Sequence, residues 1–268
     1  MKKQGTERLD KILVRLGLAE TRSRGQRLIS EGKVKVNGRI IRKASFPVVE
    51  HDHIEITQKL RYVARSGYKL EHALDTFVLD VKDKICIDIG ASTGGFTQCL
   101  LEHGARRVYA VDVGTGQLHS SLMANPRIIN LERTDARKIN SVIVPDKINI
   151  FVADLSFISS IKVLPHILPL LENSAQGVLL IKPQFELTPN EVKGGIVSSA
   201  LLHRKAIGNV VTGLNSHGLS IVDLTYSPIK GGSGNIEFLA LLSVKNTYII
   251  NREKIKEVVD LAHKILKR

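Results

Sequence analysis

The amino-acid sequence predicts an α/β protein in which a doubly wound, seven-stranded sheet follows a small α+β domain. Apolar strand patterns alternate with helical patterns from residue 68 onward. One apolar segment ends in Asp88 and runs into a loop with three glycines, Gly90, Gly94 and Gly95. The first 62 residues carry 15 Lys and Arg but only 7 Asp and Glu, or +8 of the total charge of +13. These observations predict two domains with different partners.

Residues 1–58 form the first predicted domain, with two short helices followed by a hairpin. The apolar spacing i, i+3, i+4, i+7 predicts one buried helical face: Leu9, Ile12, Leu13 and Leu16. Gly17 is expected to end this helix, and Ser23 to cap a second helix that ends at Gly32. The alternating segment KVKVNGRII places Asn37-Gly38 at its centre, which is a two-residue hairpin signal.

Basic residues of this domain are concentrated on the second helix, its entry and the hairpin. A solvated charged face is one interpretation, and a surface that meets a polyanion is the other. The order of elements between about Glu7 and Ile56 resembles an RNA-binding module that occurs in a ribosomal small-subunit protein, pseudouridine synthases and tyrosyl-tRNA synthetases. The resemblance implies docking on the phosphates of structured RNA. The expected RNA contacts are Arg8, Lys11, Arg22, Arg24, Arg27, Lys33, Lys35 and Arg39.

Residues 59–67 are predicted to be a linker, and residues 68–268 a Rossmann-like doubly wound domain. The predicted strands are KICIDIG, RVYAVDVG, RIINLERTD, NIFVADLSF, GVLLIKP, LSIVDLTYS and NIEFLALLSV. The last two are expected to pair as a hairpin at one sheet edge. A helix is predicted from Val163 to Leu171. The C-terminal segment predicts an amphipathic helix that buries Ile255, Val258, Val259, Ala262 and Leu266.

The sequence of the glycine loop indicates which class of ligand it suits. A P-loop requires Gly-Lys-Ser/Thr after four residues, but Phe96-Thr97 follows Gly95 here. The dinucleotide fingerprint requires glycine where this chain has Ser92. The remaining pattern, Asp88 through Gly95, suits a ligand without phosphates, and the acid suits a cationic one. S-adenosylmethionine meets both requirements.

Two further acids follow the next strands. Asp112 lies 22 residues after Gly90, close to the interval of about 20 at which an acid reaches ribose hydroxyls. Asp135 is placed to accept a hydrogen bond from the adenine amino group. Any one acid alone could be a helix cap or a turn carboxylate, but three acids at successive strand ends favour a cofactor site. The predicted S-adenosylmethionine site comprises Asp88, Gly90, Ser92, Gly94, Gly95, Phe96, Asp112 and Asp135.

Charged residues also lie at the ends of later strands. Asp154 follows one strand and Lys182 the next, Lys69 precedes the first strand, and Glu237 lies in an otherwise apolar segment. Because buried ionised groups are costly unless paired, these four residues are expected to form one mutually neutralising cluster. Taken singly, Lys69 would be a surface residue and Glu237 an edge-strand charge. Methyltransferases acting on amide or base nitrogens often carry Asp/Asn-Pro-Pro-aromatic after the fourth strand, and this chain has DLSF.

This order of four charged residues resembles the Lys-Asp-Lys-Glu set of ribose 2′-O-methyltransferases of the FtsJ-like family. The loop IDIGASTGGFTQ is similar to that family's loop, although Ser92-Thr93 and Phe96 stand where many members have Ala-Pro and Trp. With the RNA module, the segments RSGYKL, DIGASTGGF, ADLSFIS and IKPQFE resemble the TlyA family, also named haemolysin A, over residues 6–245.

The resemblance implies methylation of cytidine ribose in ribosomal RNA or ribosomal subunits. Lys182 is then the group that orients or deprotonates the 2′-hydroxyl, and Asp154 and Glu237 hold it. The like-charged Lys69 and the two acids affect the protonation of Lys182 in opposite directions, and the sequence leaves that balance open. An RNA-binding assembly factor without catalysis and a haemolysin-like membrane-active protein are the alternatives.

The sequence argues against a membrane-spanning, secreted or metal-binding protein. No apolar run reaches the ~20 residues of a membrane helix, and no secretion signal is visible, so a cytoplasmic protein is expected. Cys86 and Cys99 lack metal-type spacing and are expected to be reduced structural thiols. No metal site is expected.

Overall fold

A computed structural model describes residues 6–58, 60–244 and 250–266. The chain forms two compact units that divide between Arg61 and Tyr62. The sequence analysis placed a linker at residues 59–67, but Tyr62 is already fully buried in the second unit. The Val63 N–H also donates to Gln98 Oε1 at 2.7 Å, so residues 62 and 63 are tied to the second unit.

The first unit contains two helices and short strands around one apolar core. Its elements are β1 (Glu7–Arg8), α1 (Leu9–Arg15), α2 (Arg22–Ser30), β2 (Val34–Val36), β3 (Arg39–Ile40), β4 (Pro47–Val48) and β5 (Ile54–Ile56). The predicted hairpin is confirmed, since β2 and β3 pair through Val36 and Arg39. Asn37 and Gly38 have φ angles of 50° and 77°, the left-handed values that a two-residue hairpin turn requires.

Two details of the first unit differ from the prediction. Thr21, and not Ser23, caps α2, because its side chain accepts a hydrogen bond from the Arg24 N–H at 3.2 Å. Leu16 is 51% exposed. The helix ends at Arg15, so the i+7 position lies beyond the last regular turn and leaves the buried face.

The second unit contains a seven-stranded sheet in the order β11-β12-β10-β9-β6-β7-β8. The strands are β6 (Ile85–Ile89), β7 (Arg107–Val111), β8 (Ile128–Leu131), β9 (Ile148–Ala153), β10 (Leu171–Ile181), β11 (Leu219–Tyr226) and β12 (Phe238–Val244). β12 is antiparallel to both neighbours, and the other pairs are parallel. The doubly wound fold is therefore confirmed, and β11 and β12 pair as predicted.

Helices cover both faces of the sheet. They are α3 (Ser66–Phe77), α4 (Gly95–Glu102), α5 (Ser120–Met123), α6 (Pro183–Glu186), α7 (Ala200–Asn215) and α8 (Arg252–Leu266). The sequence analysis missed α7, whose pattern is interrupted by Gly208 and Gly213, both weak helix formers. The predicted helix at 163–171 is a 3₁₀-helix over Leu164–Leu170 that contains two prolines. In α8 the four predicted residues from Ile255 to Ala262 are buried, and Leu266 packs against the edge of the core.

Strand alternation divides the core into two layers and places the charged residues. Cys86, Val152, Leu180 and Leu239 belong to the layer that contains α3 and α4 residues. Since alternate residues share a face, Asp88, Asp154, Lys182 and Glu237 point to this same face. Glu237 immediately precedes β12 and does not lie within it. The sheet thus presents four ionisable side chains beneath α3 and α4.

Among the described residues, no helix combines the length and apolar character needed to cross a membrane.

Candidate active site

A cleft of about 570 Å³ follows the carboxyl ends of the central parallel strands. Its lining includes Gly90, Asp112, Gln117, Asp135, Asp154 and Phe157. A smaller cavity of about 220 Å³ is lined by Ser66, Gly90, Phe96, Asp154, Ser156 and Lys182, among others. Because Gly90, Ser92, Asp154 and Ser156 line both spaces, the two cavities are neighbours that share a wall.

The glycine loop brings the backbone close to the neighbouring strand end. Gly90 has a φ of +84°, and a Cβ there would lie 2.7 Å from the Asp154 carbonyl oxygen. A side chain at this position would therefore require both strained backbone and movement of Asp154. Gly94 caps α4 with a φ of 92°, and Gly95 begins the helix against Ser66. The loop leaves the cleft open directly above Gly90.

Asp88 does not line the cleft, contrary to the expectation that it contacts the ligand. It is fully buried and accepts a hydrogen bond from Thr97 Oγ1 at 2.6 Å. Burial raises its pKa to about 7, and the charges of Asp154 and Asp112 act in the same direction while the Thr97 bonds oppose them. The side chain points beneath the loop, and its contact with Thr97 braces α4 against β6.

Asp112 lines the cleft and holds the loop at the same time. Its Oδ2 accepts the Ser92 N–H at 2.8 Å, and its Oδ1 accepts the Gly114 N–H at 2.7 Å. Each carboxylate oxygen can accept a further hydrogen bond. Two preoriented acceptors facing a cleft are the groups that two ribose hydroxyls require, so this position fits the nucleoside part of S-adenosylmethionine.

Asp135 has both of the roles that the sequence left open, a helix cap and a cofactor-site acid. It caps the 3₁₀-helix Ala136–Lys138 and also lines the cleft. Arg137 donates to it at 2.7 Å, and this side-chain hydrogen bond lowers the pKa of Asp135 to about 2. The acid is therefore ionised at neutral pH and remains an acceptor at the cleft wall. Phe96 is 2% exposed and lies where the α4 core meets the smaller cavity.

The four predicted catalytic residues form two ion pairs. Lys69 Nζ lies 2.5 Å from Glu237 Oε2, with both side chains less than 9% exposed. Lys182 Nζ lies 2.7 Å from Asp154 Oδ1. Ile181 and Phe238 are the last register pair of β10 and β12, so Lys182 and Glu237 leave the sheet side by side. Each buried charge thus has an opposite partner, which offsets part of its desolvation.

The two lysines differ in their position relative to these two cavities. Lys182 lines the smaller cavity together with Asp154, whereas Lys69 and Glu237 do not. Lys182 also donates a hydrogen bond to Ser156 Oγ at 2.7 Å. An ammonium has three N–H donors, so a further donor is available to a ligand. Lys182 and Asp154 are therefore the charged groups of this set that line the smaller cavity, and Lys182 is the hydrogen-bond donor of the two.

Several residues of the site were missed by the sequence analysis. Ser156 contacts Lys182, Phe157 lines the cleft with 91% of its surface exposed, and Glu186 accepts hydrogen bonds from the loop after β9. The segments ADLSFIS and IKPQFE were noticed only as family motifs. Serine and phenylalanine carry no charge that marks them as functional, and their contacts depend on neighbouring strands that are distant in sequence.

The basic residues of the first unit divide into two groups. Arg8 and Arg22 both donate to the fully buried Asp10 at 2.9 Å, and the first of these bonds is the main reason why the pKa of Asp10 lies well below its usual range. Arg27 and Lys33 form ion pairs with Glu31 at 2.9 and 2.8 Å. These four predicted RNA contacts therefore have structural partners. Lys11 and Arg39 are exposed, and Arg24 and Lys35 are half-buried.

Cys86 and Cys99 are buried, and neither forms a disulfide. Burial raises the pKa of Cys86 to about 12, with a smaller contribution from Asp88, so this thiol is uncharged and unreactive at neutral pH.

Comparisons with known proteins match both units. The FtsJ-like methyltransferase family model matches residues 62–244, and the S4 domain model matches residues 7–54. The chain is 44% identical to Hemolysin A of Brachyspira hyodysenteriae, covering 87% of this chain and 98% of that protein. It is 36% identical to the 16S/23S rRNA (cytidine-2′-O)-methyltransferase TlyA of Mycobacterium tuberculosis, covering 95% and 96%. A solved structure from Streptococcus thermophilus that carries a hemolysin name has 40% identity, 98% coverage of both chains and a TM-score of 0.79.

We expect Asp112→Ala to weaken S-adenosylmethionine binding by at least about tenfold, because it removes two acceptors and releases Ser92 and Gly114. Gly90→Val should also weaken binding, since its side chain meets Asp154. Isothermal titration calorimetry measures both. Asp146→Ala is a matched control, because Asp146 accepts hydrogen bonds from Tyr109 and Arg107 away from the cleft lining. Tight binding of NADH or ATP in place of S-adenosylmethionine would overturn the cofactor site.

We expect Asp88→Asn to stabilise the second unit at pH 8 but not at pH 4. The folded-state pKa of Asp88 lies above its unfolded value, so the folded state binds more protons between about pH 4 and 7 and stability falls as pH rises through that window. The asparagine retains the Thr97 contact and carries no charge, which removes a penalty of up to about 4 kcal/mol. Urea unfolding followed by hydrogen exchange in β6 measures the difference. The exposed Asp80→Asn is the control, and equal behaviour of both variants would contradict the interpretation.

Proposed function

Because the chain belongs to the FtsJ-like methyltransferase family, we propose that it methylates the ribose 2′-hydroxyl of cytidine in ribosomal RNA, with S-adenosylmethionine as the methyl donor. The observation that carries this proposal is the Lys182–Asp154 pair in a cavity that adjoins the cofactor-sized cleft. The cofactor supplies a methyl group that its sulfonium has already activated. The protein therefore has to position the acceptor and manage one proton.

Positioning is the larger of these two tasks. A ribose hydroxyl is a weak nucleophile, and alignment for in-line attack contributes up to about 7–11 kcal/mol to catalysis. In this proposal the Lys182 ammonium, paired with Asp154 and hydrogen-bonded to Ser156, donates a further hydrogen bond to the hydroxyl oxygen. Proton removal by a positioned base adds about 10²–10⁴-fold. Lys182 is the group at the cavity that can accept that proton when it is uncharged.

The second ion pair supports the first. Lys69 and Glu237 are buried and lie outside the cavity lining, so they act on the reaction through the sheet edge. Gly231 packs directly against Glu237, because a Cβ there would lie 2.4 Å from Glu237 Oε1. This close packing holds Glu237 next to the end of β10, which Lys182 directly follows. Lys69 and Glu237 are accordingly positioning residues in the proposal.

Two observations support ribosomal RNA as the substrate. The first unit matches the S4 domain, and 71 residues of the chain are 37% identical to the small ribosomal subunit protein uS4 of Corynebacterium jeikeium. Relatives from Mycobacterium tuberculosis and Campylobacter jejuni are named rRNA (cytidine-2′-O)-methyltransferases. This substrate places the proposed activity in the cytoplasm, where ribosomes are. A purely RNA-binding assembly role would leave the Lys182–Asp154 pair at the cavity without a use.

We expect Lys182→Ala to reduce methyl transfer by several orders of magnitude while the affinities for S-adenosylmethionine and RNA change by less than about fivefold. The lysine contacts the hydroxyl only in the reacting geometry, so its loss lowers kcat. Lys182→Arg should also fail, because a guanidinium does not release a proton and has a different shape. The assay is transfer of labelled methyl from S-adenosylmethionine to separated ribosomal subunits.

The exposed Lys82→Ala is the control for this experiment. The methylated nucleotide should resist alkaline cleavage, because a methylated 2′ oxygen does not attack the adjacent phosphate. Label on a base, or full activity of Lys182→Ala, would contradict the proposed chemistry.

We expect the first unit to contribute electrostatic affinity through its exposed and half-exposed cations. Lys11→Gln, Lys35→Gln and Arg39→Gln together should weaken RNA binding and flatten its salt dependence, by about 0.7–0.9 in log-log slope for each phosphate that the variant no longer neutralises. Arg27→Gln should instead lower stability, because it removes a partner of Glu31. Fluorescence anisotropy with a ribosomal RNA fragment at several KCl concentrations measures the slope. An unchanged slope in the triple variant would contradict this assignment.

A further inference from the structure

The Lys182–Asp154 pair lies where backbone pairing between two strands has ended. The last register pair of β9 and β10 is Ala153 with Leu179, so neither charged residue belongs to the ladder. Extended past this pair, the register places Asp154 beside Leu180 and Lys182 beside Ser156, two residues further along the segment. Strand spacing does not fix the side chains beyond the sheet edge, so another set of contacts must hold Lys182 against Asp154.

Side-chain contacts continue the parallel arrangement past the sheet. Lys182 donates to Ser156 Oγ at 2.7 Å, and the rings of Phe157 and Phe185 have centroids 5.2 Å apart. Glu186 then accepts hydrogen bonds from Ser159 Oγ at 2.5 Å and from the Ser160 N–H at 2.8 Å. The contacts follow the same order along both segments. We call this set of seven residues the cross-loop clamp: Ser156, Phe157, Ser159, Ser160, Lys182, Phe185 and Glu186.

Glu186 is the anchor of the clamp. Burial raises the pKa of Glu186, although hydrogen bonds from Ser159 and Ser160 act in the opposite direction. In the part of the chain that the structure describes, its two carboxylate oxygens bond to neutral donors of a single loop. A desolvated carboxylate without a cation stabilises the fold poorly, so its contribution is the geometry that it imposes on the two segments.

The Lys182 segment depends on this anchor. Lys182 directly precedes α6, which has only four residues and so cannot maintain its own structure. Glu186 is the last residue of α6, and Asn209 of α7 donates to its carbonyl oxygen at 3.2 Å. The C-terminal end of α6 is thus held twice at Glu186: α7 contacts its carbonyl oxygen, and the loop after β9 contacts its carboxylate. Lys182 is therefore fixed between the end of β10 and α6.

The opposite segment contains a strained residue between two clamp contacts. Phe157 has a φ of +65°, a conformation that costs on the order of 1–3 kcal/mol for a non-glycine residue. Such a conformation persists only where neighbouring contacts determine it. Ser156 and Ser159 supply these contacts on its two sides. The clamp therefore restrains the loop after Asp154 as well as the segment after Lys182.

We propose that Glu186 is a positioning residue for methyl transfer, which holds the Lys182 ammonium against Asp154 by tying α6 to the loop after β9. This inference rests on the proposed function, because it assigns a task to Glu186 in that same reaction. Glu186 does not line the cleft or the smaller cavity, so it acts through Lys182 and not by contact with a ligand. A displacement of about 1 Å in a reacting group lowers rates by about 10²-fold.

Glu186→Ala should therefore lower kcat about 10–100-fold and change KM for RNA by less than about threefold. Glu186→Gln should restore most of kcat, because its amide oxygen accepts from the Ser160 N–H and its amide nitrogen donates to Ser159 Oγ. Asp146→Ala is the matched control, since Asp146 is likewise a carboxylate of this unit that accepts two hydrogen bonds, here from Arg107 and Tyr109. Its thermal stability should fall while kcat stays unchanged. Equal loss of kcat in the Glu186→Ala and Asp146→Ala proteins, or unchanged kcat in Glu186→Ala, would overturn the proposal.

Ser159→Ala provides an internal check. If the clamp acts as a unit, the effects of Ser159→Ala and Glu186→Ala on kcat should be less than additive in the double variant. Additive effects would contradict the clamp.

A measurement without turnover separates this proposal from the proposed function. In protein labelled with ¹³C at lysine Cε, the Lys182 resonance should shift or broaden in Glu186→Ala and remain in place in Glu186→Gln and Asp146→Ala. Lys182→Gln identifies the resonance. An unchanged Lys182 signal in Glu186→Ala would overturn the clamp even if the enzyme methylates RNA. Absence of methyl transfer by the native protein, together with the expected shift, would contradict the proposed function and leave the clamp supported.

Discussion

The burial of opposite charges at one edge of the sheet is the constraint on which the active site depends. Alternation along four strands directs Asp88, Asp154, Lys182 and Glu237 to the face that carries α3 and α4. With Lys69 from α3, four of these five charges form two ion pairs, and Asp88 is the acid of the group that has no cation among the described residues. Because no cation in the described part of the chain offsets its burial, the pKa of Asp88 is raised. Lys182 lies at the cavity and retains an N–H donor for a ligand.

The cofactor cleft and the charged cavity are coupled through the same short segments. Gly90 packs against the Asp154 carbonyl, and Asp112 holds the loop that begins at Gly90. On the other side the cross-loop clamp connects Asp154 and Lys182 to α6 and α7. The reacting groups therefore depend on secondary-structure elements from both faces of the sheet. Positioning of the hydroxyl and of the methyl donor relies on one continuous set of contacts.

The first unit uses its charges for two purposes. Asp10 and Glu31 bind arginine and lysine side chains and hold helices and hairpin together, because these small elements bury little apolar surface. The exposed cations are left for a polyanion. Net charge is typical of a unit with a polyanionic partner, but it does not tell which cations are available, since that depends on which acid lies next to each one in the fold.

The sequence alone determined most of the element types, the order of most strands and the identity of the charged residues. These features follow from local periodicity, glycine spacing and composition, as in the Asn37-Gly38 turn and the apolar run before Asp88. The tertiary structure alone decided the partners: two ion pairs where one cluster was expected, Asp88 beneath the loop and not in the cleft, and Glu186 bonded to Ser159. A side chain's partner depends on strand register and on packing between segments that lie far apart in the chain, and no local sequence pattern encodes these contacts.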